Sequence, residues 1–374
     1  MNEIFLPGKI QQMGVRIPPL ASNKSALRQA QEKTGAVFPS DRTPAAHFGD
    51  ARAEYEAARS AAAVFDLSDR MQLEITGDDR ITFLHNFCTN DIKSLQPGQG
   101  CEAFVVNVKG RILGHIFVFS GKESIRLESV AGCEEPLMSH LDRYIITEDV
   151  ELHNRTNSHG ELLVTGPRTS DLVRKLNVAV EQLAVYEHDT SHFNESPLSV
   201  RRVDWLGRLG YLLLSPREHL PALWECLIAV GVHPAGCDAF ESLRIEACLP
   251  LYGTDISEDN LAQEVARTEQ AISFSKGCYL GQEPIARLDA LGHVNRELCG
   301  LRLCSSPAPA PGSPVVTGDG QKEIGTVTSS SVSYRDEKPV ALAYLRSKYV
   351  QPETQVAVKR SDERVDAVVF RPES

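Results

Sequence analysis

The sequence predicts an α+β protein with two α+β regions followed by a small C-terminal β-barrel. Segments in which apolar and polar residues alternate, as in strands, are mixed along the chain with segments that have helical patterns. After Arg296 the pattern changes to short strands and turns at regular spacing, which is typical of a small barrel. With 374 residues, the chain is long enough for two or three domains and a substantial core.

The first α+β region begins after residues 1–47, which combine prolines with polar residues and are predicted to form an N-terminal extension. Residues 54–63 predict a helix and residues 71–75 a half-buried strand. A turn at 77–79 then precedes a second helix from about Arg80. Strands separated by glycine turns follow, which predicts an antiparallel sheet. These strands are residues 104–108, 113–120 and 124–128.

The second α+β region is predicted between residues 151 and 240. Its strands are residues 161–165 and 210–214, and residues 216–230 predict a helix. Since a helix of this kind buries one face, its apolar residues should form an inward stripe. The stripe is predicted to consist of Trp224, Leu227 and Ile228.

The barrel is predicted from short apolar segments in the last 80 or so residues of the chain. Prolines at positions between 306 and 314 are interpreted as a surface loop between two of its strands, and a peptide ligand for another protein is the alternative. The predicted strands are residues 300–303, 325–329, 341–345 and 355–358.

Composition and charge argue against several classes of function. A formal net charge of -11 and an isoelectric point near 5.5 disfavour a broad electrostatic surface for nucleic acid or anionic membranes. The nine cysteines include no C-x-x-C pair, the N-terminus lacks a signal-peptide pattern, and no run of about 18 apolar residues occurs. We therefore expect a protein of the reducing cytoplasm, without direct nucleic-acid or membrane partners.

One segment, KGCYLGQE at residues 276–283, is a candidate for thiol chemistry. It places Cys278 between Gly277 and Gly281, just before a helix start that Pro284 supports. A helix N-terminus and nearby cationic side chains would favour the reactive thiolate form. The alternative is that a single cysteine without partners at metal-ligand spacing is a small buried apolar residue.

No metal site is predicted from the histidines and cysteines. His188 and His192 are four residues apart, but the polar residues between them favour a turn, and no third ligand is evident. Cys299 alternates with Leu301 as strand residues do, so packing explains it and Cys304 better than an iron–sulfur cluster does. Nucleotide-phosphate and serine-hydrolase motifs are also lacking.

The segment around Cys278 also carries a family resemblance. K-G-C-Y-x-G-Q-E resembles the signature of the YgfZ-type folate-binding proteins, which are relatives of the aminomethyltransferase (T-protein) of the glycine cleavage system. Residues 244–253 are similar to the R-x-E-x-G-x-P-x-Y-G block of T-proteins, with Cys248 in place of a glycine. Residues 83–91 resemble the F-L-Q-x-x-x-T-N-D opening of the family, and the resemblance covers roughly residues 48–370.

This resemblance implies an aminomethyltransferase-like folate-binding fold, in which the domains surround a central cavity. Residues 48–150 and 241–295 would form the folate-binding α+β region, and residues 151–240 a ferredoxin-like α+β domain. Residues 296–374 would form the C-terminal β-barrel, which leaves only the extension of residues 1–47 outside the family fold.

The resemblance also implies a site. Cys278 would be the reactive thiol and Lys276 would tune it, so these two are the candidate catalytic residues. Relatives place an aromatic residue beside the folate at a position that Phe240 fills, whereas Arg70 occupies a second such position. Further folate contacts are expected from Tyr279, Gln282, Glu283, Arg287, Asn90 and Asn107.

T-proteins carry acidic residues that this chain lacks. Their G-G-x-x-D-D segment corresponds to residues 110–115, which end in Gly114 and His115, and two acidic positions of another block hold Arg208 and Leu212. Together with K-G-C-Y-x-G-Q-E, this loss implies a tetrahydrofolate-dependent accessory factor for the assembly or repair of iron–sulfur clusters, with links to tRNA modification. Its partners would be a folate and iron–sulfur client enzymes or assembly proteins, and no resident metal is expected.

Two alternatives remain open at this point. One is a tetrahydrofolate-dependent aminomethyltransferase or methyltransferase with a displaced acid, for which Glu102 and Asp91 are the nearest candidates. The other is a non-enzymatic scaffold with a vestigial folate site, since a fold by itself does not supply a reaction.

Overall fold

Two open β-sheets and one closed β-barrel organise the protein. The computed structural model describes residues 25–40, 44–178, 180, 183–360 and 363–372. Helices and strands are mixed along these ranges and the barrel lies at their C-terminal end, which confirms the predicted α+β class with a C-terminal β-barrel.

The first sheet is antiparallel and has five strands. In spatial order these are β3 (Gly100–Val106), β4 (Ile112–Ser120), β5 (Ile125–Ser129), β2 (Met71–Thr76) and β6 (Glu151–Asn154), with helices α3 (Arg80–Phe87) and α4 (Glu134–Asp142) in the connections. Strand β4 is buried on both faces because Ile116 and Val118 pack in the core shared with α3 and α4, while Phe117 and Phe119 join the core between the two sheets.

The second sheet has six strands. In spatial order these are β11 (His233–Ala235), β1 (Ala63–Asp66), β7 (His159–Thr165), β10 (Gly210–Pro216), β9 (Ser196–Val203) and β8 (His188–Phe193), with helices α1 (Ala26–Lys33), α5 (Thr169–Arg174) and α6 (Leu220–Ala229). Trp224 and Leu227 of α6 are fully buried in its core and Ile228 packs against it, so the predicted stripe is confirmed. Because β1 precedes the first sheet in sequence, the chain crosses between the two sheets, and the domain boundaries given above stay a prediction.

The turn predicted for residues 188–192 is wrong. Residues His188–Phe193 form the edge strand β8, which pairs with β9 through a tight turn. Asn194 (φ 49°) and Glu195 (φ 66°) occupy that turn in the left-handed region, a geometry that matches the twist of paired strands. The polar side chains of β8 are tolerated because this edge strand is largely exposed.

The C-terminal strands close into a six-stranded barrel. Its strands, in spatial order, are β12 (Arg296–Leu303), β15 (Pro339–Arg346), β14 (Glu323–Val332), β13 (Pro314–Thr317), β16 (Gln355–Arg360) and β17 (Glu363–Phe370). Cys299 and Leu301 are fully buried in the barrel core, as the alternation predicted, whereas Cys304 is exposed. The proline-containing segment connects β12 to β13, which confirms the loop between strands.

The remaining helices connect these layers. They are α2 (Ala51–Ser60), α7 (Cys237–Glu246), α8 (Thr268–Ala271) and α9 (Gln282–Leu291), with 3-10 helices at Arg217–His219, Ala262–Val265 and Ser347–Tyr349. The side chain of Asp50 caps α2 by accepting hydrogen bonds from the N–H groups of Arg52 and Ala53. Helix α2 packs on α7, and the Tyr55 hydroxyl donates to Glu246 at 2.8 Å.

The N-terminal segment contributes to the core where the structure describes it. Leu27 and Ala30 of α1 are buried in the core of the second sheet. Residues 1–24 and 41–43, which belong to the predicted extension, lie outside the described residues. Within the described ranges, no helix is both long and apolar enough to cross a membrane.

Candidate functional site

A cavity of about 380 Å³ lies where β1 ends and α7 begins. The rings of Phe65 and Phe240 stand edge to face there, with centroids 5.7 Å apart, and both side chains are buried. Arg70, at the start of β2, lines the same cavity. The structure therefore brings together positions 70 and 240, the two that the family resemblance assigns to aromatic contacts with the folate. The residues that line the cavity include Phe65, Leu67, Arg70, Phe240, Glu241 and Tyr252.

Two buried carboxyl groups, those of Glu128 and Glu161, hold Arg70 in place. Its guanidinium donates to Glu128 and lies 4.0 Å from Glu161, and it is stacked 4.9 Å from the ring centre of Trp205. Burial alone would lower the pKa of Arg70, but Glu128 outweighs that effect and raises it. Arg70 therefore stays charged at the cavity wall, with its orientation fixed by groups on the far side.

Acidic side chains line the cavity together with Arg70 and the apolar residues. Asp66 and Asp69 line the cavity beside Arg70. Glu241 pairs with the buried Arg244 at 2.6 Å. Apolar walls with a few oriented polar groups are the usual composition of a small-molecule site.

The thiol predicted to be reactive is exposed. Cys278 lies four residues before α9, on a loop that approaches the turn between β3 and β4. Gly281 caps the helix with a φ of 78°, and a Cβ atom there would sit 2.3 Å from the carbonyl oxygen of Asn107. Glycine is therefore required at position 281 for both the backbone angle and the close approach.

Lys276 fastens this loop to the end of α3. Its ammonium donates to three backbone carbonyls, those of His85 (2.5 Å), Cys88 (2.7 Å) and Asn90 (2.8 Å). The nitrogen also lies 4.7 Å from the ring centre of Tyr279, and burial lowers its pKa. All three N–H groups of the ammonium are thus donated to backbone carbonyls. The tuning of Cys278 by Lys276 stays a prediction.

The other predicted residues surround this loop. Asn90 donates to the carbonyls of Glu102 (2.8 Å) and Gln270 (2.9 Å), and the side chain of Asn107 accepts from the β3–β4 turn. On α9, Gln282 is half-buried, and Glu283 and Arg287 are exposed. The predicted residues thus fall into two places, since those near Cys278 are not among the residues that line the cavity beside Phe240.

A buried cluster around Glu102 was not predicted. Its carboxylate accepts from Arg267 (2.8 Å) and Tyr186 (3.1 Å) and is hydrogen-bonded to His115 Nε2 at 2.7 Å. Although burial opposes ionisation, Arg267 holds the pKa of Glu102 far below its usual range. A carboxylate that is hydrogen-bonded to three partners is a poor proton acceptor. His115 lies on strand β4 and is itself hydrogen-bonded to this carboxylate. No local sequence signal reveals this cluster, because Arg267 is 165 residues from Glu102.

In the part of the chain that the structure describes, no three His, Cys, Asp or Glu side chains are grouped to hold a metal ion. His188 and His192 lie on the edge strand β8, and His188 is bonded to the carbonyl of Ser120 at 2.9 Å.

Two family models match the chain. The GCVT N-terminal domain matches residues 27–276, and the glycine cleavage T-protein C-terminal barrel domain matches residues 296–373. Together they span the two sheets, the cavity, Lys276 and the barrel. Cys278 lies between the two matched ranges.

Known proteins are similar over most of the length. An aminomethyltransferase of Thermoanaerobacter pseudethanolicus is 30% identical over 325 residues, which cover 85% of this chain and 87% of that protein. A putative chloroplastic transferase of Arabidopsis thaliana is 32% identical over 285 residues, or 76% of this chain and 65% of that protein. The crystal structure of aminomethyltransferase T of the glycine cleavage system from Bartonella henselae shares the fold, with a TM-score of 0.83 at 21% identity, and covers 92% of this chain and 96% of that one.

Proposed function

Since the chain belongs to the glycine cleavage T-protein family, we propose that it is a tetrahydrofolate-binding protein of the YgfZ type that serves the assembly or repair of iron–sulfur clusters. Its partners would be iron–sulfur client enzymes or assembly proteins, among them enzymes that modify tRNA. Binding of folate and the role of Cys278 are tested separately below.

The cavity beside Phe240 suits the pterin ring of tetrahydrofolate. Its volume of about 380 Å³ lies within the usual range for small-molecule sites. Phe65 and Phe240 offer apolar faces to a flat ring, and Glu241 offers a carboxylate to ring N–H groups. Arg70 adds a fixed positive charge for an electron-rich edge. When bound, tetrahydrofolate supplies a nitrogen that carries a one-carbon unit.

Several positions support a role other than aminomethyl transfer. Gly114 stands where T-proteins carry an acid, and a Cβ atom there would lie 2.8 Å from the side chain of Leu137. Leu212, at another acidic position, is fully buried in the core between the sheets. With no carboxylate at either position, this chain lacks the groups that would steer a protonatable amine.

The observation that carries the proposal is the exposed thiol of Cys278 on a loop that Lys276 holds in place. A thiol that is reachable from solvent is available to a protein partner or to an iron–sulfur cargo, which thiolates ligate. Because Lys276 and Gly281 fix the backbone on both sides, the thiol is presented at a defined place on the surface. The K-G-C-Y-x-G-Q-E motif would then encode both the loop and the sulfur that the loop presents.

A complementation experiment tests this role. In a strain that lacks the protein, we expect the wild type and Cys304→Ala to restore the activity of iron–sulfur enzymes, and Cys278→Ala to fail. Cys304 is the matched control because it is the other cysteine with an exposed side chain among the described residues. Full rescue by Cys278→Ala would remove the thiol from the proposal.

Folate binding is tested by calorimetry with tetrahydrofolate. We expect Phe240→Leu, which keeps an apolar side chain in the core, to weaken binding about tenfold through the lost ring contact. Phe274→Ala is the control, because Phe274 is 45% exposed and is not among the residues that line the cavity. If the wild type binds no tetrahydrofolate, the scaffold with a vestigial site is the better description.

The second candidate function is a tetrahydrofolate-dependent aminomethyltransferase or methyltransferase. It is favoured by the aminomethyltransferases that are 27–30% identical over about 85% of this chain. Of the two displaced acids considered, Glu102 is fully buried and bonded to Arg267, which leaves Asp91 as the candidate. Turnover of a one-carbon donor by the pure protein, abolished by Asp91→Asn, would decide for this function.

A further inference from the structure

A second cavity, of about 250 Å³, lies between the two sheets at the ends of β4 and β5 and the strands β8 to β10. Its charged and titratable wall consists of Arg126, Arg201, His159 and His188, and none of the residues that line it is an aspartate or glutamate. Arg126 and Arg201 thus place two guanidiniums in this wall, in a protein whose net charge is -11.

Both guanidiniums have N–H groups without partners. Arg201 is only 1% exposed, yet its Nε finds no hydrogen-bond acceptor among the described residues, and the same holds for the buried Nη1 of Arg126. An unsatisfied buried donor is costly, so native proteins rarely leave one without a partner. Both side chains line one cavity, where a bound acceptor would give these donors a partner.

Carboxylates and a ring hold these guanidiniums in place from the protein side. Arg126 lies 3.0 Å from Glu74, and Arg201 lies 3.6 Å from Glu161 and 4.4 Å from the ring centre of Phe119. Their positions are therefore fixed before any ligand binds. Preorganised guanidiniums are the common means by which proteins recognise phosphate and carboxylate groups.

We propose that this cavity binds the phosphate group of a small phosphorylated metabolite. Arg126 and Arg201 approach from different strands, and the hydroxyls of Thr190 and Ser199 line other parts of the wall, so donors come from several directions. A phosphate ester has three terminal oxygens in a tetrahedral arrangement and accepts from more directions than a planar carboxylate with two. Phe119 and Leu214 add apolar surface, and the volume exceeds that of a phosphate alone, which favours a phosphate ester.

The two histidines of this wall do not add to its positive charge at pH 7. Burial and the charge of Arg201 lower the pKa of His188 to about 4, and burial and Arg126 lower that of His159. Both rings are therefore neutral at pH 7. A phosphate beside them would offset the arginine charges that keep them unprotonated.

Calorimetry with inorganic phosphate and with phenyl phosphate, at constant ionic strength in a chloride buffer, tests the proposal. We expect saturable binding of both, tighter for the ester, and at least a tenfold loss for Arg126→Gln, since a charge-assisted hydrogen bond is removed. Arg155→Gln is the matched control, because Arg155 also pairs with Glu74, at 2.8 Å, but does not line the cavity. Its affinity should equal that of the wild type.

Thr190→Glu keeps the test informative if Arg126→Gln folds poorly. Thr190 is exposed at the rim, so a glutamate there adds negative charge without disturbing packed groups, and we expect it to weaken phosphate binding. The proposal is overturned if neither ligand binds saturably at about 20 mM, where even a millimolar site would be occupied. Equal losses in Arg126→Gln and Arg155→Gln, or none in Thr190→Glu, would also overturn it. Tetrahydrofolate binding should not change in Arg126→Gln, which separates this site from the folate proposal.

Discussion

Arg70 and Arg201 line different cavities but approach the same buried carboxyl group, that of Glu161. Arg70 Nε lies 4.0 Å from one oxygen of Glu161, and Arg201 Nη1 lies 3.6 Å from the other. Glu161 is fully buried on β7, and Glu128 of the first sheet completes the cluster through its bond to Arg70. A continuous set of ionisable side chains therefore runs between the two sheets and joins the walls of the two candidate binding sites.

The first prediction concerns Glu161. Burial and the nearby Glu128 raise its pKa to about 8, against the lowering effect of Arg201 and Arg70. Between pH 4.5 and 8 the unfolded chain releases this proton and the native state retains it, so the group lowers stability as pH rises. Glu161→Gln should then raise the free energy of unfolding at pH 7 and have little effect at pH 4.5.

Urea unfolding at several pH values measures this effect. The exposed Glu123 provides the control, and Glu123→Gln should not change stability at any of these pH values. A Glu161→Gln protein that is less stable than the wild type at pH 7 would mean that the ionised carboxylate, paired with the arginines, stabilises the native state.

The second prediction concerns Lys276. Lys276→Met leaves three buried carbonyl groups without their shared donor, so we expect a loss of about 2–4 kcal/mol in the free energy of unfolding. The exposed Lys93 is the control, and Lys93→Met should be nearly neutral. If Lys276→Met unfolds at the same urea concentration as the wild type, the ammonium does not fasten the loop.

The third prediction concerns thiol reactivity. Cys278 and Cys304 are exposed, whereas Cys88, Cys133 and Cys299 are buried, so the first two should react quickly with a thiol reagent in the native state. Burial also raises the pKa of the Cys299 thiol to about 12, which slows its reaction further. Cys278→Ala and Cys304→Ala should each remove one fast-reacting thiol. An unchanged number of fast thiols in Cys278→Ala would contradict the exposed position of this sulfur.

The fourth prediction concerns acid stability. Because the pKa of His188 falls to about 4 through burial and Arg201, the unfolded chain binds a proton below pH 6.5 that the native state refuses. Stability should therefore decrease as pH falls from 6.5 to 4, by up to about 3 kcal/mol from this residue. His188→Asn should flatten the pH dependence in that range. An unchanged slope would show that His188 does not cause it.

Much of the architecture follows from local patterns in the sequence. Residues 113–120 were predicted as a strand between glycine turns, and the structure contains them in β4, which is apolar on both faces because it lies between two cores. The alternation of Cys299, Leu301 and Leu303 predicted strand residues that the structure contains in β12. The segment 188–192 was misread because its polar residues resemble a turn, whereas an exposed edge strand accepts them. Gly281 was expected to matter for its backbone freedom, and its φ of 78° is the reason.

The sequence alone thus determined many of the strands, the barrel, the family motif and the residues that could do chemistry, because each of these depends on neighbouring residues. Only the tertiary structure decided which side chains meet. Glu102 and Arg267 are 165 residues apart, and Lys276 reaches carbonyls nearly 190 residues earlier in the chain. The packing of the sheets brings such partners together. Burial then strengthens each interaction, since water no longer competes for the charges.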